Sequence, residues 1–230
     1  MEYSIKLNAV NNPDKSVRAF ATVTFGDCFK ITNIAVVEGR ENQPFVSMPS
    51  FKSKERTEHN EPVYKDVCNP ITKEFREELY GDILDLYAEM EQTGKAEVVR
   101  EPETPQEPEF TVKVKPYERE GSNILGLARI YFDDSFVVGN VSVLKGKEEG
   151  KEFVAMPSYK ARQSGRNEEP RYHDVCFPVT KEFREKLYDA ILESYKQEKE
   201  LATDQSRAQA VAQSQSMAQS RQYESELPFR

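Results

Sequence analysis

The sequence predicts an α+β protein built as two tandem domains, each an antiparallel sheet of four to five strands followed by one C-terminal helix. Three observations carry that prediction. Apolar residues alternate near the start of each half, apolar residues recur at helical spacing near its end, and the second half repeats the first. Phe45-Val46-Ser47-Met48-Pro49-Ser50-Phe51-Lys52 returns as Phe153-Val154-Ala155-Met156-Pro157-Ser158-Tyr159-Lys160, at an offset of 108 residues. Asp66-Val67-Cys68 and Thr72-Lys73-Glu74-Phe75-Arg76 return at the same offset as Asp174-Val175-Cys176 and Thr180-Lys181-Glu182-Phe183-Arg184. A period this long is a domain duplication, not a solenoid unit.

The elements follow in order. Val17, Ala19, Ala21, Val23 and Phe25 share one face of a period-2 stretch, with Arg18, Thr22 and Thr24 on the other. Phe20 interrupts the alternation, which predicts some cover on both faces. Gly26-Asp27 sits between two apolar runs and predicts a two-residue hairpin turn. Asp133-Asp134 fills that place in the second half. Phe29 to Val37 is the return strand, and Phe45 to Met48 a further one. Pro49 limits that strand's ladder. A polar loop is expected from Phe51 to about Pro62, then a short strand from Tyr64 to Val67. Thr72 is the expected N-cap of a helix, with Glu74 in its first turn. Phe75, Leu79, Ile83 and Leu86-Tyr87 form one apolar stripe, repeated by Phe183, Leu187, Ile191 and Tyr195.

Composition divides the 230 residues into repeat 1 (1–90), a Pro/Glu-rich linker (91–108), repeat 2 (109–197) and a Gln/Ser-rich tail (198–230), which is expected to be disordered. The formal net charge is -8. From Glu91 to Glu109 six glutamates face only Lys95 and Arg100, so about half of that charge lies in the connector. The tail adds about -1, which leaves two nearly neutral domains. A chain-wide polycation is excluded, but a local basic patch is not. No apolar run approaches the roughly 18 residues of a membrane span, so no membrane partner is expected. Cys28, Cys68 and Cys176 cannot all pair within the chain, and Met1 to Ala9 lacks a signal-peptide core. Reduced thiols and a cytoplasmic location are expected.

The motifs Val17-Arg18-Ala19-Phe20-Ala21, Phe45-Val46-Ser47-Met48-Pro49-Ser50, Tyr64-Lys65-Asp66-Val67 and Pro70-Ile71 resemble the SpoVG family of bacterial septation regulators. The resemblance covers about Ser4–Tyr87 and Glu109–Tyr195. It implies an antiparallel sheet with a following helix, and a family that forms dimers. A tandem copy then implies an intrachain pseudo-dimer, or else a homo-oligomer. The resemblance further implies roles in septation, sporulation or gene regulation, with DNA or RNA as partner.

Within that frame the segment after Met-Pro-Ser is the candidate nucleic-acid contact. It carries Lys52, Lys54 and Arg56 in repeat 1, and Lys160, Arg162 and Arg166 in repeat 2. Phe51 and Tyr159 are candidates for stacking on bases. Arg76 and Arg184, equivalent residues of the first helical turns, extend the same strip if they face the same side. The same residues also fit an ordinary solvated loop and ordinary helix-surface ion pairs. Leu227, Pro228 and Phe229, at the end of the Gln-rich tail, are similar to the tip of bacterial single-stranded DNA-binding proteins, which implies a docking site for a protein partner. Here Arg230 follows Phe229.

No catalytic constellation is expected. Cys68 and Cys176 lack partnering histidines, since His59 and His173 are not equivalent, and they read as small buried apolar residues. There is no zinc spacing and no phosphate-cradling glycine loop, so neither metal nor cofactor is expected. The competing function is a protein–protein adaptor in septation or sporulation control with no direct nucleic-acid contact.

Overall fold

A computed structural model describes residues 1–12, 14, 16–117, 119–148, 150–160 and 171–225, with side chains described through Asp204. Repeat 1 forms β1 (Tyr3–Ala9), β2 (Val17–Phe25), β3 (Phe29–Glu38), β4 (Pro44–Ser47), β5 (Ser50–Arg56), β6 (Pro62–Asp66), β7 (Cys68–Pro70) and α1 (Lys73–Thr93). The connector adds β8 (Glu97–Arg100). Repeat 2 forms β9 (Phe110–Pro116), β10 (Ile124–Phe132), β11 (Phe136–Lys145), β12 (Glu152–Ala155), β13 (Ser158–Lys160), β14 (Tyr172–Asp174), β15 (Cys176–Pro178) and α2 (Lys181–Ser225).

The hairpin turns fall where the sequence places them. Gly26 and Asp27 both have positive φ, and the Cys28 N–H closes the turn onto the Phe25 carbonyl at 3.0 Å. Asp133 and Asp134 adopt the same turn, closed by Ser135 onto Phe132 at 2.9 Å. The helix caps also match. Thr72 accepts from the Phe75 N–H and Thr180 from the Phe183 N–H, each at 3.3 Å. The apolar stripe of α1 is buried through Phe75, Leu79, Ile83, Leu86 and Tyr87, and extends to Met90.

The repeats exchange their last strands. β7 of repeat 1 pairs antiparallel with β11 of repeat 2, and β15 of repeat 2 pairs with β3 of repeat 1. The far edge of β3 is therefore shared end to end. Its own β4 covers Ala35 to Glu38, while the exchanged β15 covers Phe29 to Ile31. β11 is shared in the same way by β12 and β7. Between the shared halves stand Asn33 and Asn140, both at positive φ. The chain is thus a pseudo-dimer with one core. Phe25 meets Phe136 at 5.1 Å, Phe29 meets Phe132 at 4.7 Å, and Phe75 meets Phe136 at 6.3 Å, all across the repeat boundary. Cys68 and Cys176 are fully buried there as apolar residues.

Three expectations need correcting. The polar segment after Met-Pro-Ser is not a loop in repeat 1: Ser50 to Arg56 and Pro62 to Asp66 form a hairpin that stands outside the core. Both of its faces meet water, so no apolar alternation marks it. The acidic connector is not only a spacer, because Glu97 to Arg100 pairs with β1. And α2 continues to Ser225, through most of the tail expected to be disordered. Gln, Ala, Glu, Lys and Arg are good helix formers, and no Gly or Pro interrupts them before Pro228. No helix among the described residues is long and apolar enough to cross a membrane.

Candidate functional site

The signature Met-Pro-Ser has a local reason. Met48 and Met156, the residues just past β4 and β12, sit in the core, 5% and 8% exposed. The carbonyl of the following proline then accepts a bond from within its own repeat: Pro49 from the Val67 N–H and Pro157 from the Val175 N–H, each at 2.8 Å. Val67 passes the connection on, since its carbonyl accepts from Gly139 of the other repeat at 2.7 Å. Val175 accepts from Thr32 at 2.8 Å. The motif therefore fixes where each hairpin leaves the core and ties that point to the opposite repeat.

Between the two exits lies an open groove of about 1010 Å³. Its walls are Met48, Pro49 and Ser50 on one side and Met156, Pro157 and Ser158 on the other. Ala35 and Ser142, Asn33 and Asn140 form equivalent pairs along it. Phe20, Phe51 and Tyr159 also line it and remain 41%, 37% and 43% exposed. The residue that broke the strand alternation, Phe20, thus faces the groove.

The predicted site residues divide. Phe51 and Tyr159 are brought into the one groove. Lys52 and Lys160 follow them in extended strands, so they point to the opposite face of each ribbon. There Lys52 lies opposite Tyr64, and Lys160 opposite Tyr172. Both tyrosines are more than 60% exposed. Lys52, Lys54 and Arg56 are exposed and make no ion pair among the described residues, whereas Lys65 is paired with Glu55 at 2.6 Å. Arg76 and Arg184 are engaged with their own chain, donating to the carbonyls of Pro70 and Pro178 at 3.0 and 3.3 Å. Burial raises the carboxyl pKa of Asp66, and the nearby Arg76 guanidinium partly offsets that rise. Arg162 and Arg166 lie outside the described residues, as do Leu227, Pro228 and Phe229. Sequence reasoning missed Tyr64 and Tyr172 as candidate site residues. Their signal was available: the same aromatic recurs in both copies at the 108-residue offset.

Burial pushes the Cys176 thiol well up, with Cys68 beside it. Among the described residues no cluster of His, Cys, Asp or Glu could hold a metal ion.

Fold and groove together define a class: a covalently fused pair of small α+β domains, joined by strand exchange across one two-fold groove. The family model for SpoVG matches residues 1–89 and again 109–197, so the chain belongs to the SpoVG family and carries two copies of its domain. Relatives named as septation proteins show the same likeness. The one from Treponema denticola is 36% identical over 76 residues, 33% of this chain and 74% of the relative. The one from Agathobacter rectalis is 36% identical over 87 residues, 38% of this chain and 90% of the relative. A third, from Borrelia hermsii, is 38% identical over 76 residues, 33% of this chain and 72% of the relative. No solved structure matches this chain.

Proposed function

We propose that this protein is a cytoplasmic nucleic-acid-binding regulator acting in septation, sporulation or gene regulation. It grips DNA or RNA with its two projecting hairpins and the groove between them. One observation carries the reading. Each hairpin presents a matched cation–aromatic pair to solvent, Lys52 with Tyr64 and Lys160 with Tyr172, beside a groove rimmed by Phe51 and Tyr159. Cations supply phosphate attraction and exposed rings supply base stacking, a combination suited to single strands or to a ribbon laid in a duplex groove. Lys54 and Arg56 extend the cationic strip along β5. Arg76 and Arg184, held by proline carbonyls, position the hairpin bases more than they contact a ligand.

The test is titration of labelled single- and double-stranded DNA and RNA at about 50 and about 200 mM salt. Binding should be measurable at the lower salt and fall at the higher. Changing Lys52, Lys54 and Arg56 together to Ala should weaken it by about tenfold and flatten the salt slope. Absence of binding to all four at low salt would sink the proposal. It would favour the adaptor reading, which one feature supports: the groove floor is largely apolar and would suit a peptide. A protein partner docking at Leu227, Pro228 and Phe229 is compatible with either.

A further inference from the structure

The two sheets end differently. In repeat 1, β8 lies along the outer edge of β1, with Glu97 opposite Asn8, Val98 opposite Leu7, Val99 opposite Lys6 and Arg100 opposite Ile5. Val98 is buried. Lys6 pairs with Glu97 at 2.7 Å, and Arg100 with Asp82 of α1 at 3.1 Å. β9 is the counterpart of β1, since Phe110 faces Phe132 as Tyr3 faces Phe25. In that register Lys6 corresponds to Lys113, Leu7 to Val114 and Asn8 to Lys115. Yet β9 ends its sheet, and among the described residues no strand lies along its outer edge.

The direction of its free backbone groups follows from the ladder. Asp133 donates to the Glu109 carbonyl at 3.1 Å and Tyr117 to the Leu125 carbonyl at 2.8 Å. Odd-numbered residues of this segment therefore turn their polar groups toward β10, and even-numbered residues turn theirs outward. Val112 and Val114 offer N–H and C=O to the outer edge. Pro116 offers only C=O, which ends the ladder there. Lys113 and Lys115 flank these groups, both exposed, with Lys113 resting 5.3 Å from the Tyr131 ring. α2 packs on the core face of the same strand, where Phe183 meets Phe110 at 5.6 Å.

We infer that the outer edge of β9 is a docking site for an extended acidic peptide of a partner protein, which adds as a strand in the position that β8 fills in repeat 1. β8 shows the required pattern: an apolar residue opposite Val114, and an acid opposite Lys115 and diagonal to Lys113. Two lysines stand where β1 has Lys6 and Asn8, so this edge is the more basic. Asp82, which holds Arg100 of β8, is replaced by Ala190, so a basic residue at the fourth position gains nothing. A second copy of β9 fits badly. Antiparallel pairing of Val112 with the copy's Val114 sets Lys113 directly opposite Lys113, and like charges so placed repel. Strand addition of this kind draws affinity from the main chain and selectivity from alternate side chains.

The test uses the full chain and a fluorescein-labelled Glu-Val-Glu-Val-Glu peptide, with Lys-Val-Lys-Val-Lys as control. Fluorescence anisotropy should show saturable binding of the acidic peptide alone, weakened by salt. Hydrogen exchange at the Val112 and Val114 amides should slow when it binds. Two variants should each weaken binding by about tenfold: Lys113→Glu with Lys115→Glu by charge, and Val112→Pro by removing a donor. The Val112 N–H faces outward, so the proline breaks no bond to β10, and an unchanged melting temperature confirms the fold. Failure of the acidic peptide to bind, equal binding of the lysine peptide, or unchanged affinity in both variants would overturn the assignment. Concentration-dependent dimerisation in sedimentation that Val112→Pro abolishes would also overturn it, giving the edge to a second copy.

Discussion

At the scale of single residues, the two copies of the first hairpin turn solve one geometry differently. Gly26 has φ of +47°, and a Cβ there would stand 2.2 Å from the Gln106 carbonyl oxygen of the connector. Asp133, its counterpart, also has positive φ but uses its side chain, accepting from the Glu109 N–H at 2.8 Å. Gly26→Ala should therefore cost about 2–3 kcal/mol, read as a lower urea midpoint with an unchanged slope. The Gly-Asp turn is legible in the sequence. The reason that Gly26 admits no side chain is not, because Gln106 is distant in the chain and reaches Gly26 only through folding.

Buried protonated groups give a second residue-level prediction. Burial, helped by the nearby Glu107 carboxylate, pushes the Cys28 thiol up to about 12. Burial and the hydrogen bond to Glu91 push the Tyr87 hydroxyl up to about 12. Tyr3 moves the same way through burial and its bond to Asp82. An acid whose pKa is higher folded than unfolded leaves the native state holding more protons. Its stabilisation is complete below the unfolded pKa and is lost as pH climbs toward the folded one. The melting temperature should thus decline from about pH 9 toward about pH 12, and Cys28→Ala should flatten part of that decline. A flat profile in the parent chain would contradict it.

At the scale of elements, the helix starts were legible because capping is a local affair of three or four residues. Thr72→Ala and Thr180→Ala should each cost about 1 kcal/mol, and the double variant about the sum, measured by chemical denaturation. Of the β5–β6 hairpin, β6 was expected as the short strand from Tyr64 to Val67, but β5 was not legible. Its residues Lys52, Lys54, Glu55 and Arg56 meet water on both faces, so no periodic pattern distinguishes a paired ribbon from a loop. β8 was hidden for a related reason. Four residues amid prolines and glutamates become a strand only because β1 offers an edge, with Lys6 and Asp82 placed to take Glu97 and Arg100. The site was therefore half legible. Phe51 and Tyr159 stood out beside the repeated motif, whereas Tyr64 and Tyr172 become candidates only once cross-strand pairing sets them beside lysines.

At the scale of the whole molecule, exchange of β7 and β15 makes the repeats interdependent. The shared cluster of Phe25, Phe29, Phe75, Phe132, Phe136 and Phe183 belongs to neither one alone. Thermal unfolding should accordingly be a single transition, with calorimetric and van't Hoff enthalpies equal. Residues 1–108 expressed alone should be unfolded or should pair with a second copy, read by light scattering. A stable folded monomer of that piece would show that the repeats are independent domains.

What the sequence determined by itself was the duplication, the order of most elements, the helix caps and the first hairpin turns. These depend on side-chain period and on neighbours a few residues away, which a single chain displays directly. What only the tertiary structure decided was which sheet each closing strand joins. Asp-Val-Cys stands in both copies, and strand pairing is made by backbone groups that every residue carries. Nothing local distinguishes pairing with the same repeat from pairing with the other. Packing the two aromatic cores together settled it, and in doing so created the groove.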